Sequence, residues 1–308
     1  METEILKHSG FIALIGRPNV GKSTLLNQLA GQRLAITSPK PQTTRSVIRA
    51  IVDEPDAQMI FLDTPGLHQA KSKLGQYMSE AARLAMVETD IILLLIEAGF
   101  SPRVLDIERK VLDQLKLSQK PVILVINKAD SSEKEAMLPL MAAFHQAFNF
   151  AAIIPISAKT GDGIEILLKE IRTRLPEGPR YFPADSLTDQ TERMIAAELI
   201  REQILLKTHE EIPHGTAVMI DSFQEKMDEL GERVQVTIEA SIVCEKDSHK
   251  GIIIGHKGSM LTAIGTSARK EIEAMLDCPC YLDLFVRVRD DWRNRQSILN
   301  DLGYQSER

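Results

Sequence analysis

The chain has 308 residues, 44% of them apolar and 26% charged, with a formal net charge of −6. That length suits two domains with separate cores, and the composition is that of a soluble globular protein, which excludes wholesale disorder. The longest aliphatic runs, such as Ile91 to Ile96, fall far short of the roughly 18 residues a membrane-spanning helix needs, and three cysteines cannot build a disulfide framework.

The opening METEILKHSG is acidic and lacks the basic start and apolar core of a secretory signal, so a cytosolic address with reduced thiols is expected. From Phe11 to about Leu175, short aliphatic runs (FIALI, QMIFLD, IILLLI, PVILVIN, AIIPIS) alternate with longer helix-like segments. Buried runs separated by helices predict an α/β domain over 1–175, with a mostly parallel sheet covered on both faces.

The segment 176–190, PEGPRYFPADSLTDQ, brings three prolines and no periodicity and reads as a linker. Over 191–308 the order changes to a small α+β module. A helix is expected at 191–208, then a strand at VMIDSF. A second strand follows at 234–244, where Val234, Val236, Ile238, Ala240 and Ile242 alternate with polar residues. GIIIGHKGSM (251–260) reads as the end of a strand, a glycine loop and the start of a helix with Leu261, Ile264, Ala268 and Ile272 on one face. A strand at YLDLFVRV and a short helix from Asp291 complete the module. Cys278 and Cys280 flank Pro279 and read as strand packing, since a zinc site would need two more distant ligands. Trp292 reads as a packing residue.

Four short motifs stand at predicted strand ends. GRPNVGKS, 16 to 23, lies between a buried strand and a helix. Its glycines let backbone N–H groups approach phosphates, and the helix N-terminus adds its positive end. Gly16, Arg17, Pro18, Asn19, Val20, Gly21, Lys22, Ser23 and Thr24 are therefore candidate nucleotide contacts. Lys22 reaches the β and γ phosphates and Ser23 ligates Mg²⁺. DTPG supplies Asp63, Thr64, Pro65 and Gly66, with Asp63 placed to hold the Mg²⁺ and the Gly66 N–H to face a γ-phosphate. NKAD supplies Asn127, Lys128 and Asp130. The Asp carboxylate can accept two hydrogen bonds from guanine, a pairing that rejects adenine by on the order of 10⁴. SAK supplies Ser157, Ala158 and Lys159, where a backbone N–H can meet guanine O6. Ligands of open α/β sheets bind at these carboxyl ends.

With these boxes the chain resembles the translation-factor-related GTPases, and QTTRS (42–46) resembles the first switch loop of the Era family. The resemblance covers nearly the whole chain, and implies a GTPase domain followed by a KH domain of the second topological type. It implies hydrolysis of GTP to GDP and phosphate, slow without a partner, below about one turnover per second. It also implies that Thr43 or Thr44 closes on Mg²⁺ when GTP is bound; the sequence leaves both open. Leu67 stands where small signalling GTPases carry a water-positioning glutamine, and cannot orient a water by hydrogen bonding. Related enzymes with this substitution use K⁺ held by an asparagine at the position of Asn19. Lys22, Asn19, Thr43, Thr44 and Gly66 are thus the candidate catalytic groups. Arg45 reads as a switch-surface charge and His68 as a solvated loop residue.

A KH module clamps about four nucleotides of single-stranded backbone with its GxxG loop. Here Gly255, His256, Lys257 and Gly258 form that loop, and Lys246, Lys250 and Arg269 supply nearby charge in a segment 179–308 that is net −7. The resemblance implies the 3′ region of small-subunit ribosomal RNA as target and late assembly of that subunit as role; a monomer is expected. The rival reading is a peripheral membrane or cell-cycle GTPase whose second domain recruits protein or lipid, with a fraction at the inner face of the cell membrane. The absence of a basic, lipid-seeking amphipathic helix favours RNA.

Overall fold

The structure is a computed structural model that describes residues 5–67, 70–99 and 103–305. Elements run in the order β1 (Ile5–Leu6), β2 (His8–Gly16), α1 (Lys22–Ala30), β3 (Ile48–Glu54), β4 (Ala57–Asp63), α2 (Lys73–Glu88), β5 (Ile91–Glu97), α3 (Asp106–Leu115), β6 (Val122–Asn127), α4 (Lys134–Ala147), β7 (Ala152–Pro155), α5 (Ile164–Arg172) and β8 (Gly178–Pro179). They continue with α6 (Glu192–Lys207), β9 (Ala217–Met227), β10 (Arg233–Cys244), α7 (Asp247–Ile254), α8 (Ser259–Leu276), β11 (Cys280–Val288) and α9 (Gln296–Asp301). The residues form two compact units. The first takes the chain up to Ala35, from Thr44 through the DTPG box, and Met78–Asp189; the second takes Ile36–Thr43, Ala70–Tyr77 and the chain from Gln190 onward.

In the first unit six strands lie in the order β3-β4-β2-β5-β6-β7, all parallel except the β3–β4 pair. This is the expected α/β domain. Successive residues of a strand face opposite sides. Ile12 and Leu14 therefore join one core with Leu25 and Leu26 of α1 and Leu167 and Ile171 of α5. Ala13 and Ile15 join the other, with Val111, Leu112 and Leu115 of α3 and Leu140 and Phe144 of α4. Burial on both faces is why these strands read as unbroken aliphatic runs.

The segment expected to be a linker is tied to this unit for most of its length. β8 pairs with β1, Gln58 Nε2 donates to the Phe182 carbonyl at 3.0 Å, Ile51 N donates to the Leu187 carbonyl at 3.0 Å, and Arg49 pairs with Asp189 at 2.5 Å. Its prolines remove periodicity without removing partners.

In the second unit the sheet order is β11-β10-β9, with β10 antiparallel to β9 and parallel to β11. Val236, Ile238, Ala240 and Ile242 are fully buried with Ile264, Ala268 and Ile272 of α8 and Leu199, Ile200 and Ile204 of α6. Val234 departs from the expected alternation and is 39% exposed, because the β9–β10 register shifts between Arg233 and Gln235. Trp292 is fully buried, and its Nε1 donates to the Gly215 carbonyl at 2.9 Å. Cys280 is buried at the start of β11, and burial pushes its thiol pKa up to about 11.

One expectation is corrected here. The isoleucine run before the glycine loop is helical: α7 spans Asp247–Ile254, so GHKG joins two helices. Ile253 is fully buried and Ile252 is half exposed. Tertiary burial of one helix face outweighs the weak β-propensity of three β-branched residues.

Candidate nucleotide site and RNA-facing loop

The four motifs gather at one rim of the first unit's sheet. The phosphate loop follows β2, DTPG follows β4, NKAD follows β6 and SAK follows β7. Gly21, at φ 95°, stands so close to the third box that a Cβ would lie 2.2 Å from Asn127 Nδ2. A Cβ on Gly66 would meet the backbone N of Pro18 at 3.0 Å. Close approach therefore favours glycine at both positions, and at Gly21 the left-handed backbone does so as well.

Lys22 and Ser23 open α1, followed by Thr24. The Lys22 ammonium donates to the carbonyls of Gly16 and Arg17, each at 3.2 Å. Burial lowers its pKa, with Asp63 opposing. Ser23 Oγ lies 2.6 Å from Asp63 Oδ2 and 2.9 Å from Thr44 Oγ1, and Thr44 Oγ1 lies 3.0 Å from the same carboxylate oxygen. Asp63 is fully buried, and burial raises its pKa against the pull of Lys22, Ser23 and Thr44. Its other oxygen, Oδ1, is buried without a hydrogen bond. Three hard oxygen groups with a buried carboxylate oxygen to spare fit Mg²⁺; bound there with nucleotide, it would neutralise phosphate charge. Thr43 Oγ1 instead donates to the Lys40 carbonyl at 2.8 Å. The pair that the sequence left open is separated by the fold: only Thr44 joins Ser23 and Asp63.

Thr64 Oγ1 donates to the Leu14 carbonyl at 2.8 Å and anchors DTPG to β2. The next turn, carrying Pro65 and Gly66, ends with Leu67 N donating to the Gly16 carbonyl at 3.2 Å. The Leu67 side chain packs on a sheet core. Arg45 is buried, at 3% exposure, which corrects its reading as a surface charge; His68 lies outside the described residues. Asn19 has φ 65°, a conformation asparagine tolerates, and its side chain is exposed at the loop's rim.

The base boxes are tied together. Asn127 Nδ2 donates to the Val20 carbonyl at 2.7 Å, and Ala158 N donates to Asn127 Oδ1 at 2.9 Å. Asn127 thus braces the phosphate loop against SAK. Lys128, at φ 64°, pairs with Glu97 at 2.9 Å, and Asp130 sits exposed in a short 3₁₀ turn. Ser157 is fully buried, and its Oγ accepts from Thr160 N at 3.2 Å, while Lys159 is exposed. Sequence reasoning missed Glu97 and Glu108. Glu108, buried in the first turn of α3, lies 3.1 Å from Arg17 Nε, and burial raises its pKa against Leu105 N–H and Arg17.

In the second unit, Gly255 has φ 73°, and a Cβ there would lie 2.7 Å from Met260 Cβ. His256 and Lys257 are exposed at the tip, and Gly258 caps α8 in the left-handed conformation. Lys246 precedes α7 and Lys250 lies one turn along it, so Lys246 stands about 12 Å of helix rise from the loop. Beyond the loop, α8 and β11 frame a groove of about 330 Å³, lined by Leu261, Thr262, Thr266, Arg269, Asp283 and Leu284 among others. Thr262, Thr266 and Arg269 form a polar stripe at helical spacing that sequence reasoning left unread apart from Arg269.

A phosphate loop, a buried Ser-Thr-Asp oxygen cluster and an NKAD box on a mostly parallel sheet define a guanine-nucleotide-binding protein of the phosphate-loop class. The family described as 50S ribosome-binding GTPase matches residues 11–128, and the KH domain family matches residues 211–293. GTPase Era of Ruminiclostridium cellulolyticum is 48% identical over 300 residues, covering 97% of this chain and 98% of the relative. GTPase Era of Geobacter metallireducens is 51% identical over 296 residues, covering 96% and 97%. Among solved structures, Aquifex aeolicus Era bound to GDP·AlF4⁻ matches with a TM-score of 0.90 at 39% identity, over 96% of this chain and 99% of that one. Era in complex with MgGDPNP and nucleotides 1506–1542 of 16S ribosomal RNA matches with a TM-score of 0.89, also at 39% identity and the same coverage. The chain belongs to the Era family of GTPases, enzymes that hydrolyse GTP.

Proposed function

We propose that this chain is a GTP-driven switch that binds the 3′ region of small-subunit ribosomal RNA in its GTP state, releases it after hydrolysis, and thereby assists late assembly of that subunit. The observation that carries the reading is the presence, in one chain, of the Ser23–Thr44–Asp63 oxygen cluster and of a glycine loop that leads into α8, the helix that frames a groove with β11. The Era structure holding nucleotides 1506–1542 of 16S RNA supports it by likeness. In this reading Thr44 is the switch threonine that joins Ser23 on Mg²⁺. Lys257 meets the RNA backbone at the loop tip, and Arg269 and the two threonines face bases in the groove.

Catalysis in this reading depends on K⁺ held by Asn19, supplying positive charge beside the phosphates in place of an arginine finger. Leu67 supports this, since its side chain packs on the core and offers no polar atom to a water. Equal turnover in K⁺ and Na⁺ would remove this part.

The test measures binding of a 16S 3′-end fragment with non-hydrolysable GTP analogue or GDP bound, for the intact chain and for the His256→Asp/Lys257→Asp variant. Tight binding only with the GTP analogue, lost in the variant, is expected. Equal affinity in both nucleotide states would overturn the switch. Vesicle association lost in the variant while RNA binding persists would move the loop's partner to a membrane surface.

A further inference from the structure

Arg17 is the second residue of the phosphate loop, and its two ends serve different purposes. Its carbonyl faces the site and, with that of Gly16, accepts from the Lys22 ammonium at 3.2 Å. Its side chain runs towards α3, where Nε lies 3.1 Å from Glu108 Oε1. The Glu108 side chain is 6% exposed and that of Arg17 19% exposed, so solvent screens the pair weakly. Glu108 Oε2 is engaged too, accepting from Leu105 N at 2.9 Å to close the start of α3. One carboxylate thus accepts a hydrogen bond from a helix N-terminus with one oxygen and forms an ion pair with a phosphate-loop residue through the other, although Nε makes no aligned hydrogen bond to it.

The surroundings make this choice of residue informative. Ile96, Leu105, Leu140 and Phe144 line the small cavity around the pair together with Glu97 and Arg103, and the near-complete burial of the Glu108 side chain makes its ionised form costly. Glutamine at this position would close the helix equally well, because either side chain returns an oxygen to the N-cap N–H. Helix capping therefore does not account for a charge here, whereas neighbouring cations do: Arg17 in direct ion-pair contact and Arg103 on the cavity wall. Phosphate loops act through backbone N–H groups held ready for the phosphates, and any freedom of the loop must be lost on binding.

We propose that Glu108 is a positioning residue for the phosphate loop, fixing through Arg17 the backbone that presents Lys22 to the nucleotide. It touches no phosphate itself. The inference rests on the reading of Gly16–Ser23 as the phosphate loop. Loss of nucleotide binding by Lys22→Ala tests that reading separately.

Glu108→Gln separates the two duties of the carboxylate, since it keeps an acceptor for Leu105 N and removes the charge opposite Arg17. In the full-length protein we expect its melting temperature to hold. The dissociation constants for GDP and a non-hydrolysable GTP analogue should rise together by about 5- to 20-fold, mainly through faster release, and KM for GTP should rise with kcat within about twofold, as for lost uniform binding. Arg17→Met breaks the same pair without touching α3, and the double variant should bind no more weakly than Arg17→Met alone. Unchanged nucleotide release in Glu108→Gln would overturn the proposal. So would independent, multiplicative losses in the double variant, or a drop in melting temperature that Arg17→Met does not share.

Discussion

Thr43 and Thr44 are adjacent and chemically identical, which makes their separate replacement by alanine a sharp test of the site. Thr44 is 6% exposed, with its hydroxyl 2.9 Å from Ser23 Oγ and 3.0 Å from Asp63 Oδ2. Thr43 turns its hydroxyl to the Lys40 carbonyl at 2.8 Å. A hydrogen bond or ligand contact to a charged partner is worth about 1.5–3 kcal/mol. Thr44→Ala should therefore weaken binding of a GTP analogue in Mg²⁺ by roughly 10- to 150-fold. GDP gives a switch threonine no γ-phosphate to close on, so its affinity should move by less than about twofold. Thr43→Ala removes a neutral loop bond worth about 0.5–1.5 kcal/mol, and should change the two nucleotides alike. Fluorescent GDP and GTP-analogue titrations at fixed Mg²⁺ measure all four quantities. A selective loss of GTP-analogue affinity in Thr43→Ala, with Thr44→Ala silent, would refute the assignment.

Gly21→Ala would place a methyl 2.2 Å from Asn127 Nδ2 at a backbone φ of 95°; GDP affinity should fall at least about tenfold as the Asn127 brace is displaced, read by titration calorimetry. Gly255→Ala would drive a methyl to 2.7 Å from Met260 Cβ, and RNA affinity in a filter-binding assay should drop by about tenfold or more. Trp292 is the chain's sole tryptophan, and Trp292→Phe leaves the Gly215 carbonyl without its 2.9 Å donor. Chemical denaturation should show about 1–3 kcal/mol of lost stability. Cys280, with its thiol pKa raised by burial to about 11 from 9.0, should resist alkylation at pH 8 in the folded protein and react freely once unfolded. Because the unfolded thiol ionises first, stability should fall as pH rises from 9 towards 11, and a Cys280→Ala variant should lose less over that window.

The strands of the nucleotide-binding unit were legible because parallel strands buried on both faces leave long aliphatic runs, and the boxes were legible because each demands a local backbone shape. Gly21 and Gly255 illustrate the second point, since neither position accepts a Cβ. The misread features depend on partners far away in sequence. The proline-bearing segment 176–190 looked unstructured until Leu187 met Ile51 and Asp189 met Arg49. The isoleucines before the glycine loop looked like a strand until burial of Ile253 beneath the module made them a helix.

The same distinction explains which candidate site residues the sequence made legible. Lys22, Asp63 and Asn127 belong to motifs in which spacing and chemistry constrain each other within a few residues. Glu108 belongs to no such motif; its meaning arises only where α3 brings it beside Arg17. Glu97 acquires its partner, Lys128, by the same route across neighbouring strands β5 and β6. Both acids hold a cation that belongs to a nucleotide box, Arg17 or Lys128. A phosphate loop must present a rigid backbone although its glycines, Gly16 and Gly21, loosen it. In the role proposed for Glu108, a tether reaching outward from Arg17 supplies that rigidity without placing a side chain where the nucleotide must sit.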